Sequence, residues 1–142
     1  ISGLRGVPVG PGDHPMPMKD VVKIFKALSD PNRLRIVLLL LKKELCVCEL
    51  TFILGMEQSR VSHHMRVLRE AAIAEDVRDG RWIVYRVPDE AKALLEGLVT
   101  GALRERIGRS REAAGDVEKL EACVRENVRG RACGDQPRTG GQ

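Results

Sequence analysis

The apolar residues of this 142-residue chain change their spacing once, and that change constrains the fold more than any other feature. From Val21 to Leu68 they recur at helical spacing, whereas Trp82 to Val87 (WIVYRV) alternate with a period of two. Asp79-Gly80 stands just before that alternation, and Asp-Gly between two extended runs is a strong signal for a tight hairpin turn. The pattern predicts short helices followed by one hairpin: a mainly α fold with a small β-hairpin.

Val21, Ile24, Phe25 and Leu28 share a face of a first helix that begins near Met18. Ser29-Asp30-Pro31 separates it from a second, with Asp30 or Ser29 as cap and Pro31 at the first position. In the second helix Leu34, Val37, Leu38 and Leu41 are expected inward, Arg33 and Arg35 outward. A short helix over Val47–Leu54 stops at Gly55, and Met56-Glu57 turn into a fourth helix beginning at Gln58-Ser59, whose Val61, Met65 and Leu68 face inward. Strands are expected at residues 74–77 and 82–87. Asp89 is expected to cap a further helix with Ala91, Leu94, Leu95, Leu98 and Ala102 on one stripe, fading after Gly108. The order is therefore α-α-α-α-β-β-α, followed by a C-terminal helical tail. Residues 110–129 carry a thinner stripe (Val117, Leu120, Val124, Val128) that either packs on a partner chain or frays. Residues 1–17 and the segment beyond Arg129 are rich in Gly and Pro and are expected to be disordered. The chain thus divides into a loose segment 1–17, a domain 18–108 and a tail 109–142.

Hydrophobic residues make up 43% of the chain and aromatics only 3%, so the core is aliphatic. No apolar run approaches the roughly 20 residues of a membrane span, and the N-terminal residues hold no apolar core of a signal peptide. We expect a cytoplasmic protein with no membrane partner. The net charge of +4 is modest, but residues 18–45 carry seven Lys/Arg against three Asp/Glu. Residues 58–69 add Arg60, Arg66 and Arg69 with no acid. Such a local excess suits a polyanion, a solvated face being the plainer reading. A thiol oxidoreductase would carry Cys-x-x-Cys near a βαβ unit, and neither that nor a phosphate loop is found, so we expect no enzyme.

Two short helices joined by a tight turn and followed by a hairpin make a winged helix-turn-helix. Its recognition helix offers N-terminal side chains to double-stranded DNA, and a wing tip carrying Arg78 and Arg81 reaches the backbone or minor groove. Beside it, ELCVCEL places Cys46 and Cys48 one residue apart, and an intact helix would point them to nearly opposite sides. Thiolates are soft ligands suited to soft ions. A helix N-terminus favours the thiolate, while Glu44 and Glu49 oppose it. The alternative is that both cysteines are small buried hydrophobes.

The segments LSDPNRLRIVLLL, ELCVCEL, LGMEQSRVSHHMRVLREA and DGRWIVYRV, across about residues 19–100, resemble the arsenic-responsive, ArsR-type family of winged-helix repressors. The resemblance implies a homodimer, built from the first and last helices of the domain, that leaves its operator when a metal or metalloid binds. It places Gln58, Ser59, Ser62 and His63 on DNA-contacting positions, with Arg60 and Arg66 as phosphate or guanine candidates. His64 follows the buried register as an interhelix hydrogen-bonding residue, and Trp82 packs the wing. The family's zinc-type site needs histidines in the last helix of the domain, and none lies between Asp89 and Gly108. ELCVCEL instead matches the pattern that binds trivalent arsenic or antimony, which implies Cys46 and Cys48 as ligands. The third cysteine of that pattern is here Thr51. A third sulfur would come from Cys123, from Cys133 or from a small thiol, unless two suffice. Zinc or cadmium at the same thiols, a response to thiol oxidation, and a thiol metal carrier are the other readings. The expected mechanism is that chelation unwinds the first turn of the helix and shifts the recognition helix.

Overall fold

The computed structural model describes residues 16–132. Helices α1 (Met18–Leu28) and α2 (Pro31–Lys42) are followed by a short strand β1 (Leu45–Cys46), α3 (Val47–Leu54) and α4 (Gln58–Glu70). The hairpin β2 (Glu75–Asp79) and β3 (Trp82–Arg86) leads to α5 (Asp89–Glu96), a π-helical turn (Gly97–Ala102), α6 (Arg104–Gly108), α7 (Arg111–Arg125) and α8 (Val128–Ala132). The segments 1–15 and 133–142, with Cys133, lie outside the described residues, while residues 130–132, expected to be disordered, continue helix α8.

The boundaries have local causes. Asp30 Oδ1 accepts from the backbone N–H groups of Asn32 (2.9 Å) and Arg33 (3.1 Å), which closes the start of α2 behind Pro31. Gly55 ends α3 at φ 63° and Gly80 turns the hairpin at φ 62°, both in the left-handed region that glycine enters without strain. Asn127, at φ 50°, makes the corner between α7 and α8.

The described residues form a three-stranded antiparallel sheet in the order β1-β3-β2. Asp79 faces Trp82 across the hairpin, while Leu45 pairs with Tyr85 and Cys46 with Val84. Two residues have no period to read, so β1 was not expected; it exists because β3 offers its second edge.

Ile36, Leu39, Leu45, Leu50, Ile53, Met65, Leu68, Ile73 and Leu95 are fully buried. Helix α7 packs on α2 and α3 of its own chain: Leu120 and Cys123, with Val128 of α8, join the main core, while Val124 of the expected stripe is exposed and Cys123 takes the buried place beside it. That cover changes several expectations. Helix α2 is enclosed from two sides, so Ile36, Leu39 and Leu40 are buried while Leu34, Leu38 and Leu41 are half-buried. Arg35 does not point outward: its fork grips Asp116 of α7 with two bonds of 2.8 Å. Arg33 Nε turns back to Ala27 O at 2.7 Å and closes the end of α1. Phe25 is 59% exposed rather than packed. In α5 the expected stripe breaks: Leu94 is exposed, and the π-helical turn rotates the face so that Val99 is buried instead of Ala102. Asp89 is the first residue of α5, and Pro88, not Asp89, stands at the cap.

Candidate nucleic-acid interface and its thiol turn

Helix α4 divides cleanly. Val61, His64, Met65 and Leu68 are buried, while Gln58, Ser59, Arg60, Ser62, His63 and Arg66 are all exposed. No described side chain caps its N-terminus, and its first turn holds no acid, so the positive end of the helix faces outward with its hydroxyls. Arg66 Nη2 meets His63 Nδ1 at 3.0 Å, which aligns these two side chains on one face. His64 lies in the buried register as expected, but its Nδ1 has no hydrogen-bond partner among the described residues. Desolvation pulls its pKa below the usual histidine value, partly offset by Asp30. The C-terminal end of α4 is tied to the wing by Arg69 Nη1 and Asp76 Oδ1 at 3.4 Å.

On the wing, Arg78 and Arg81 flank the turn and are exposed. Arg78 Nε donates to Gly80 O at 3.2 Å, and the Arg81 guanidinium lies over the Trp82 ring at 4.6 Å. Trp82 packs the wing, in a small cluster with Val84, Val77, Cys46 and Cys48.

That cluster corrects the geometry expected of the thiols. Cys46 is not helical: it ends β1 at φ −85°, ψ 168° and serves as the N-cap residue of α3, while Cys48 lies in the first turn. The change from strand to helix between them brings both side chains to the same apolar patch against β3, not to opposite sides. Cys46 and Glu49 form a capping box, with the Cys46 N–H donating to Glu49 Oε1 at 3.0 Å. Thr51 stands where the resemblance has a third cysteine, and its Oγ1 donates to Cys48 O at 2.7 Å.

The Glu49 carboxylate is the centre of the turn. It is 3% exposed and pairs with Arg129 of α8, Nη2 to Oε1 at 2.8 Å. Cys123 Sγ of α7 lies 3.8 Å from Glu49 Oε2. Burial, with the nearby Glu49 charge, pushes Cys46 up to about 11 and Cys123 to about 12, so both are protonated thiols at neutral pH. Burial therefore outweighs the helix N-terminus. The Cys48 sulfur is in a disulfide, unlike Cys46 and Cys123. Among the described residues no group of three or more metal-ligating side chains is preassembled. The donors nevertheless fit a thiophilic ion in kind: sulfur on β1, α3 and α7, set against apolar side chains. The sequence marked Glu49 only as a charge that opposes the thiolate, not as the partner of the turn, and assigned Arg129 no role. The Cys-x-x-Glu spacing of a capping box could have revealed Glu49, whereas Arg129, 80 residues away, gave no local signal.

A tight turn between α3 and α4, a polar outward face on α4 and a basic-tipped wing define a winged helix-turn-helix DNA-binding protein. Residues 30–76 match the model of the family described as bacterial regulatory protein, arsR family. The chain is 35% identical over 115 residues to the arsenical resistance operon repressor of Escherichia coli (strain K12), covering 80% of this chain and 90% of that protein. The chain belongs to the ArsR family of bacterial transcriptional regulators. It is also 43% identical over 94 residues to the arsenic resistance transcriptional regulator ArsR1 of Pseudomonas putida, covering 63% of this chain and 73% of that protein. Among solved structures it resembles the homodimeric winged helix-turn-helix DNA-binding domain of Mb0332 from Mycobacterium bovis. The TM-score is 0.57 at 28% identity, over 66% of this chain and 87% of that one. These family members and neighbours are DNA-binding regulators and not enzymes. No helix among the described residues is long and apolar enough to cross a membrane.

Proposed function

We propose that the chain is a homodimeric repressor that binds operator DNA through α4 and the wing and is released when arsenite or antimonite is bound by Cys46 and Cys48. The observation that carries this reading is the position of Cys46: one residue caps α3, the first helix of the reading motif, and pairs with Val84 in the wing strand. A pull on its sulfur therefore acts on both DNA-reading parts. The names of the Escherichia coli and Pseudomonas putida relatives support arsenic as the inducer.

Gln58, Ser59, Arg60, Ser62, His63 and Arg66 meet bases and phosphates, and Arg78 and Arg81 meet the flanking backbone. Helix α1 exposes Met18, Val22 and Phe25, and α5 exposes Leu94, an apolar surface suited to a second copy. A protonated Cys46 condenses with arsenous acid: the S–As bond forms, an As–O bond breaks, and the thiol proton leaves with the hydroxide as water. Cys48 serves only once its disulfide is reduced. Cys123, which adjoins the same carboxylate as Cys46, supplies the third sulfur. Gathering these sulfurs opens the Cys46–Glu49 capping box. Allosteric coupling is typically about 5–150-fold in affinity, which is the loss of DNA binding expected.

The test is a titration of sodium arsenite into the reduced full chain bound to a duplex that it has selected from a random pool. Release should disappear in the Cys46→Ser, Cys48→Ser double variant; release that persists there excludes this site. The Cys48 disulfide favours a second reading, in which thiol oxidation is the signal. Release by peroxide, reversed by dithiothreitol and indifferent to arsenite, would establish that one instead.

A further inference from the structure

One guanidinium joins three parts of the molecule. Arg129 Nε donates to Glu49 Oε1 at 2.8 Å, inside the thiol turn. Its Nη2 donates to the backbone oxygen of Glu44 at 2.9 Å, just before β1. Its Nη1 reaches Asp79 Oδ2 at 3.4 Å, at the tip of the wing. The planar five-donor fork of arginine lets one side chain meet these three separated acceptors from three different nitrogens. Its side chain is 20% exposed, and the Glu49 side chain 3%, so this pair is screened by little water. Asp79 lies between Arg78 and the turn residues Gly80 and Arg81, and beyond the Cys46–Val84 pair the hairpin has only two strands, a ribbon that is marginal without outside support.

We propose that Arg129 is a positioning residue that holds the wing tip to the thiol turn, so that the wing is set for DNA only while the capping box of α3 stays closed. Glu49 is shared between two tasks: one oxygen takes the Cys46 N–H and the Arg129 fork together. When Cys46 leaves the cap, that oxygen loses its backbone donor and its fixed place. Arg129 then loses its anchor, and the bond to Asp79 is the outermost and longest of the set. The wing is freed through a contact that bypasses the recognition helix. The sensing half of this inference rests on the reading of Cys46 as an inducer ligand; the holding half does not.

The experiment compares the reduced wild type with Arg129→Gln, Asp79→Asn and Cys46→Ser, all as full chains on the selected duplex. Asp79→Asn removes the charge but keeps Asn-Gly, which turns a hairpin as well as Asp-Gly, and leaves the Glu49–Arg129 pair intact, so it folds. Three quantities are read: affinity without inducer, the ratio of affinities without and with sodium arsenite, and the emission of Trp82, the only tryptophan in the chain. Trp82 faces Asp79 across the hairpin and reports the wing directly. Arg129→Gln and Asp79→Asn should each weaken inducer-free binding by roughly 2- to 30-fold, shrink the arsenite ratio by a similar factor, and shift Trp82 emission before any arsenite is added. The proposal is overturned if both variants keep inducer-free affinity and the arsenite ratio within about twofold of wild type while Cys46→Ser loses its response. That result leaves the thiol reading standing. A full arsenite response in Cys46→Ser would instead remove the thiol reading, and inducer-free affinity would still decide whether Arg129 holds the wing.

Discussion

The reading helix and the thiol turn are neighbours built on opposite plans. Helix α4 presents six polar or basic side chains on its reading face, and the hydrogen bond between two of them, His63 and Arg66, spans three residues. The thiol turn is buried, and its contacts come from β3, α7 and α8, up to 80 residues away. The face that we propose meets phosphates is left open and locally specified. The turn that we propose changes state is enclosed, so that a small local shift is felt by everything packed on it.

This contrast can be broken by substitution. The largest effect is expected at the turn: Glu49→Ala removes the acceptor of Cys46 and the partner of Arg129 and should cost about 3 kcal/mol in urea unfolding. A loss below about 1 kcal/mol would show that the enclosed carboxylate does not stabilise the turn. Next is the clasp of α7. Asp116→Ala leaves Arg35 without its bidentate partner and should cost about 2 kcal/mol, with hydrogen exchange rising in residues 111–125 ahead of α4. Equal rise in both segments would mean that α7 is not a separable unit.

Smaller again is the cap of α2. Asp30→Ala should lose about 1 kcal/mol. Burial alone would raise the Asp30 pKa, but the Arg33 and Asn32 N–H bonds and the Arg33 charge outweigh it and lower the value below its ordinary 3.8. A lowered carboxylate contributes fully above its unfolded pKa and loses that contribution as pH falls through the folded one. The wild-type advantage over Asp30→Ala should therefore hold at neutral pH and fade only below pH 3.8. The least effect on stability belongs to the reading face. Arg66→Ala should stay within about 0.5 kcal/mol of wild type, yet weaken binding to all duplexes alike and lower the salt slope by about one. A stability loss like that of Asp116→Ala would erase the distinction between the two regions.

The same contrast explains what was legible in the sequence. Helices, their stops and the hairpin are local events, so Asp30-Pro31, Gly55 and Asp79-Gly80 marked them where they fall. The exposed face of α4 followed from a single buried stripe. What could not be read depends on partners far along the chain. The strand β1 exists only because β3 offers an edge, and with it the place of Cys46 changes from helix to cap. Arg35 looked like a surface charge until α7 supplied Asp116. The thin stripe of Val117, Leu120, Val124 and Val128 left open whether it packs on a partner chain or frays, because a periodic face says what is apolar but not what covers it.

The long reach of Arg129 also sets an order in time. A ribosome completes residues 18–86 before it makes residues 111–132, so the reading helix and wing emerge while the residue that ties them to the thiol turn is still unmade. On our proposal, then, the wing is set for DNA only once the last helix has been made.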